Sequence, residues 1–167
     1  MGFLVPSKGY EYATIKGHKC AIIVGDDLSR ERDFDQSVET VISINARKYG
    51  KGTMTYRYEM MRNLAFVESK NLVLVNQVGG STDIVYDGTS GALNSRGELV
   101  LMMKNFEEDF QIFDTKASAR PITIPSTYND RTRLVYEAAR CGLRDFFRKN
   151  GYRKASIGLS GGIDSAV

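Results

Sequence analysis

Ser156-Ile157-Gly158-Leu159-Ser160-Gly161-Gly162-Ile163-Asp164-Ser165-Ala166-Val167 closes the chain and sets the reading of what precedes it. The order is a short apolar strand, a Gly-Gly turn and the first turn of a helix. Two adjacent glycines let a backbone take positive φ and come close to a ligand. A helix that begins just after such a turn directs free N–H groups and the positive end of its dipole at it. Successive N–H groups in a turn also form a concave anion site. Ser160 and Ser165 add hydroxyl donors, and Asp164 is placed to hold a metal ion bound to the same anion. The Gly-Lys-Ser/Thr ending of a Walker A loop is absent. The plain alternative is a Gly-Gly turn between a strand and a helix, with no ligand.

A chain of 167 residues is long enough for a domain with a sizeable core, and its composition is that of a soluble globular protein. Lysine and arginine number 23 against 20 acids, too even a balance to argue for a nucleic-acid or membrane partner. Cys20 and Cys141 are far apart and not in a metal-type spacing, so both read as buried thiols. His18 sits in a Lys-Gly-His-Lys turn and reads as a solvated loop residue. No apolar run reaches the length of a membrane span and the N-terminus has no signal-peptide pattern; a cytoplasmic setting is the expectation. The chain stops at Val167 inside a helix barely begun, and the expectation is a piece of a larger protein.

Residues 12–16 and 19–24 read as a hairpin around Gly17-His18. The apolar run Lys19–Val24, then Thr40–Asn45 and Asn71–Asn76, read as strands buried on both faces. Thr53 is expected to cap a helix to about Glu68, with Met54, Tyr58, Met61 and Ala65 on its core face. Buried strand, helix and buried strand argue for an α/β arrangement. Shorter strands follow: 83–86 into the turn Asp87-Gly88, then Gly91–Leu93 paired with 98–103, and 109–113. Two of the three prolines fall in 115–129, which reads as a linker. Asn129 or Asp130 caps a helix to about Asn150, with Leu134, Ala138, Cys141 and Phe147 near one face and Gly151 just past its end.

The hexapeptide Ser160-Gly161-Gly162-Ile163-Asp164-Ser165 resembles the pyrophosphate loop of the ATP pyrophosphatase enzymes, which adenylate a substrate and let an amine attack. Over nearly its whole length the chain resembles the glutamine-dependent NAD synthetases. The stretches that carry this are Tyr136–Gly151, Val75–Gly80, Val85–Ser90 and Asn105–Asp109. The resemblance implies an α/β fold. Residues 1–114 would be the C-terminal part of a nitrilase-like αββα glutaminase domain, 115–129 a linker, and 130–167 the start of a doubly wound α/β synthetase domain. It also implies ATP and Mg²⁺, with nicotinate adenine dinucleotide and glutamine or ammonia as substrates. ATP would bind Gly158, Leu159, Ser160, Gly161, Gly162, Ile163, Asp164 and Ser165, with Asp164 on the metal. The expected partners are small molecules and further copies of the chain, with no nucleic acid and no membrane.

One departure from the family stands out. A nitrilase-type amidase needs a nucleophilic thiolate, a base and a lysine. The family places the cysteine at the end of a buried strand, in the pattern Ile-Cys-Glu-Asp-Leu-Trp. Here that position reads Val24-Gly25-Asp26-Asp27-Leu28-Ser29, with Gly25 where the nucleophile would stand and Cys20 five residues earlier. A second glutamine-contacting stretch, Ser-Ala-Ser-Pro-Phe in the family, reads Asn45-Ala46-Arg47-Lys48-Tyr49. Lys51 and Arg57 keep the family spacing after it, or are simply a solvated basic start to a helix. The expectation is a synthetase whose ammonia-forming half has lost its nucleophile. The alternatives are another ATP pyrophosphatase amidotransferase, such as a GMP or asparagine synthetase, and a non-catalytic degenerate fragment.

Overall fold

Three strands, β2 (His18–Val24), β3 (Thr40–Asn45) and β4 (Asn71–Asn76), run parallel and adjacent in the computed structural model, which describes residues 10–25, 34–116 and 120–166. Val24 lies opposite Ile44, Ile44 opposite Val75, and Asn45 opposite Asn76. β1 (Glu11–Ile15) pairs antiparallel with β2 across a turn at Lys16-Gly17, so His18 opens a strand and does not sit in the loop. β7 (Gly91–Leu93) and β8 (Leu99–Met102) complete a six-stranded sheet in the order β1-β2-β3-β4-β7-β8. β5 (Val78–Ser81) and β6 (Ile84–Asp87) form a separate two-stranded ribbon.

α1 (Thr53–Glu68) connects β3 to β4 and buries Met54, Tyr58, Met61 and Ala65. Their 4-3-4 spacing keeps them on one side of a 3.6-residue helix. They meet Ala21, Ile23, Val41, Leu72, Leu74 and Leu93 from the sheet, and this is the main core. The cap differs from expectation: Gly52 holds the N-cap position in left-handed backbone, and the Thr53 hydroxyl turns back to the Gly50 carbonyl at 2.8 Å.

The strands are not buried on both faces. Val24, Ile44 and Val75 stand side by side at the ends of the parallel strands, 64 %, 45 % and 48 % exposed. α1 covers only one face of the sheet, and successive strand residues point to opposite faces. Residues 109–113 also differ, since they carry no strand. The Asp109 carboxylate instead accepts from the amides of Lys104 and Phe110 at 3.1 and 2.8 Å and bends the chain.

Past that bend the chain lies as a strap on the sheet. Ile122 N–H donates to the Leu99 carbonyl at 2.8 Å, and Ile124 and Tyr128 pack against the core. A 3-10 turn at Ser126–Tyr128 leads to α2 (Arg131–Asn150), whose N-cap Asp130 accepts from Arg133 N–H at 3.0 Å. α2 buries Ala138, Cys141 and also Asp145, which the apolar pattern does not reveal. This helix docks on the β5–β6 ribbon. Asp145 accepts from Gly80 N–H at 2.7 Å, and Lys149 donates to the Gly80 carbonyl. The approach is close enough that a Cβ on Gly80 would lie 3.0 Å from the Gly142 Cα.

Burial pushes the Asp145 carboxyl up, but hydrogen bonds from Arg144 and from the Gly80 amide outweigh it and hold the group below the usual carboxylate range. Its contribution to stability is therefore present above the unfolded pKa and lost as pH falls through the lower folded value. Gly80→Val is expected to cost about 2 kcal/mol, because backbone and not a flexible side chain must give way. Asp145→Asn is expected to flatten the acid limb of the stability curve. Urea unfolding between pH 2 and 7 checks both, and an unchanged acid limb would remove Asp145 from the docking contact.

Candidate functional site

Two groups of sequence-predicted residues are held far apart in character. One lies at the C-terminal edge of the parallel strands. The other is the terminal loop.

At the strand edge, Gly25 follows β2, Asn45 ends β3 and Asn76 ends β4, next to one another by register. Gly25 has φ +70°, and a Cβ there would meet no described residue within 4 Å. The backbone is left-handed and favours glycine. Asp26, Asp27, Leu28 and Ser29 lie outside the described residues. Cys20 is buried in mid-strand, opposite Thr40. Burial, and then the charge of Glu39, push its thiol up, which disfavours the nucleophilic thiolate.

Below this edge is a buried polar network. Arg57 is 1 % exposed and grips Asp87 with two bonds, 3.2 and 2.8 Å, so it is neither a solvated helix start nor open to a ligand. Lys51, by contrast, is exposed. Asp87 also accepts from Asn76 Nδ2 at 3.1 Å and from the Thr89 hydroxyl at 3.3 Å. Asn76 in turn holds the loop after β3, accepting from Arg47 N–H at 2.9 Å and donating to the Arg47 carbonyl at 3.4 Å. The loop then runs alongside β6, with Tyr49 N–H on the Val85 carbonyl at 2.7 Å. Tyr58 donates to the Thr89 and Ser90 carbonyls at 3.0 and 3.3 Å, and burial pushes its phenol well up, so it stays a donor. Among the described residues Asn45 Oδ1 and Arg57 Nε have no hydrogen-bond partner. Asp87 and Asn76 were not singled out from the sequence as members of this network; the signal was an acid and an amide standing at the ends of apolar strands.

The terminal loop is exposed except at Ser165, which is half-buried. The strand expected at 156–159 does not form; the segment carries no regular structure and has no ladder partner among the described residues, and an isolated strand has nothing to bond. The turn and helix do form, with Gly161 at φ +83° and α3 at Ile163–Ala166. Ser160 and Ser165 hydroxyls meet at 2.9 Å. Ser160 N–H donates to Ser165 Oγ at 3.3 Å, Gly162 N–H to Ser160 Oγ at 3.4 Å, and the Ser165 hydroxyl to the Gly162 carbonyl at 2.8 Å. Cβ atoms on Gly158 or Gly161 would meet nothing within 4 Å. Leu159 and Ile163 flank the turn, both exposed. Asp164 is a lone carboxylate: among the described residues no group of three or more His, Cys, Asp or Glu could hold a metal ion. No described helix is long and apolar enough to cross a membrane.

No protein-family model matches the chain. It is 30% identical over 169 residues to a glutamine-dependent NAD(+) synthetase of Acinetobacter baylyi, covering 96% of this chain and 31% of the relative. The same enzyme of Synechocystis is 30% identical over 175 residues, 94% of this chain and 31% of the relative. The chain thus spans about a third of the length of these curated relatives. Among solved structures, the glutamine-dependent NAD+ synthetase of Acinetobacter baumannii in complex with ADP superposes with TM-score 0.77 at 28% identity, over 96% of this chain and 32% of that one. An amidase of the nitrilase superfamily from Nesterenkonia shares the fold at 13% identity, with TM-score 0.51 over 80% of this chain and 49% of its own. The α/β fold is therefore that of NAD synthetases and the nitrilase superfamily.

Asp87→Ala is expected to cost about 3–5 kcal/mol, since it leaves the Arg57 charge buried and unpaired. Replacing both, Arg57→Met with Asp87→Leu, is expected to recover most of that loss. Chemical denaturation of single and double variants is the check; equal losses in both would mean the ion pair is not the source.

Proposed function

Because this chain is related over nearly its whole length to one portion of the glutamine-dependent NAD(+) synthetases, we propose that it carries three segments of such an enzyme. Residues 1–114 are the C-terminal part of the glutaminase domain, 115–129 the linker and 130–167 the start of the ATP pyrophosphatase-type domain. The reaction this portion serves is ATP-dependent amidation of nicotinate adenine dinucleotide through an adenylated intermediate.

The observation that carries the reading is the terminal loop, an exposed positive-φ turn running into a helix with its serines folded back over its amides. That donor set fits a polyphosphate. ATP, when bound, supplies the adenylyl group that activates the dinucleotide's carboxylate. The chain's own part is to bind and orient. The amides of Ser160 and Gly162, which here face serine hydroxyls, would turn to phosphate oxygens, and the Ser160 and Ser165 hydroxyls would donate beside them. The open space at Gly158 and Gly161 lets the anion approach the backbone. Asp164 would give Mg²⁺ one carboxylate oxygen, the remaining ligands being phosphate and water. The solved relative that carries ADP supports nucleotide binding.

At the other site the reading assigns Gly25 to the nucleophile's place, so no thioester forms there and the ammonia is taken up free. For the 167-residue chain by itself, the unpartnered segment before the loop favours a second reading, in which it does not turn over ATP.

The test is made on the parent protein. It is expected to use ammonia and to release no glutamate from glutamine, because loss of a covalent nucleophile costs roughly a millionfold in turnover in a comparable hydrolase. Asp164→Ala is expected to abolish ATP-dependent synthesis while leaving the unfolding midpoint unchanged. Glutamate release at ordinary amidotransferase rates, blocked by a thiol alkylator, would overturn the glutaminase assignment. Parental adenylation by Asp164→Ala would overturn the metal assignment.

A further inference from the structure

The loop after β3 and the start of α2 enclose a half-open cavity of about 720 Å³, large enough for a small organic molecule. No residue of the terminal loop or of the strand edge lines it. Its walls are mostly apolar, from Tyr49, Met54, Tyr128 and Leu134, and two cations, Lys51 and Arg131, stand at its sides. Among the described residues no Asp or Glu lines it, and neither cation has a carboxylate partner. Arg57, Arg96, Arg140, Arg144 and Arg148 are each bonded to a carboxylate, whereas Arg131 keeps its charge uncompensated among the described residues at the cavity wall.

The aromatic walls are fixed in place before any ligand arrives. Tyr49 packs edge-on against Phe106, with ring centroids 5.3 Å apart and an interplanar angle of 73°. The Tyr128 hydroxyl donates to the Met103 carbonyl at 3.2 Å. A rigid apolar slot costs little ordering on binding. Its chemistry excludes a metal cation, for want of acidic ligands, and two cations are too few for a nucleic-acid backbone. An arginine matches a planar carboxylate or a phosphate through two parallel N–H bonds, and a lysine adds a point charge.

We propose that this cavity binds a small organic anion with a flat apolar body, its ring between Tyr49 and Tyr128 and its carboxylate or phosphate on Lys51 and Arg131. The site is separate from the terminal loop, so its failure and the failure of the phosphate-loop reading are distinguishable, although Tyr49 and Lys51 come from the stretch that the resemblance sets near a glutamine site.

Calorimetric titration of the full 167-residue chain with benzoate and with phenyl phosphate tests it, with benzamide (ring, no charge) and acetate (charge, no ring) as controls. Saturable 1:1 binding of a charged ring compound is expected, at least about tenfold tighter than either control, a ratio in keeping with one charge-assisted contact. Tighter phenyl phosphate would assign a phosphate ester and tighter benzoate a carboxylate; both support the site. The double variant Lys51→Gln with Arg131→Gln is expected to weaken binding tenfold or more at an unchanged unfolding midpoint. Amide shifts on titration should fall on residues 49–55 and 128–135. Absence of saturable binding, equal affinity for benzamide, undiminished binding by the double variant, or amide shifts elsewhere would each overturn the proposal.

Discussion

A bidentate ion pair sealed from water, Arg57 on Asp87, is the contact on which the candidate edge depends. It fastens the main helix to the end of the β5–β6 ribbon. Through Asn76 it also fastens the loop that follows the second parallel strand. Taking both charges out of water is costly, and only the several bonds to Asp87 make that arrangement tolerable. The network trades some stability for a fixed geometry where helix, ribbon and sheet edge meet. Asn45 Oδ1 and Arg57 Nε, which find no partner among the described residues, mark where that trade is incomplete.

The second junction is made differently. α2 reaches the ribbon through backbone contact at Gly80 and Gly142, with Asp145 as a single buried acceptor. Beside these contacts Leu134, Ala138 and Cys141 of α2 pack with Val85 of β6, Tyr49 and Phe106 in a small second apolar cluster. The larger apolar layer lies between α1 and the sheet, while the far face of the sheet keeps Val24, Ile44 and Val75 in view of solvent.

Much of this was legible. The spacing of Met54, Tyr58, Met61 and Ala65 fixes a helix and its buried side, and Asp130 and Gly151 mark the ends of α2 through capping chemistry that is local. The strands β2, β3 and β4 were visible as apolar runs because β-branched residues gather there. Whether their second face is covered was not visible, since that depends on a layer the run itself does not encode. Residues 109–113 and 156–159 have strand-like composition and no strand, because pairing needs a neighbour as well as a propensity. Arg57 and Asp145 were hidden for a related reason. A charged residue on a helix reads as solvated until its partner, distant in sequence, is known.

Gly25 carries a consequence for descent. A side chain at φ +70° is held in a left-handed conformation that costs roughly 1 kcal/mol or more, tolerated where chemistry demands it. If the position once held a reactive thiol, glycine relaxes that strain at the moment it removes the reactivity. The exchange then improves folding while it ends catalysis, and a return mutation would meet a fold that has become more stable without it. Such a position behaves as a ratchet: selection for stability and drift away from function push in the same direction, and neither opposes the other.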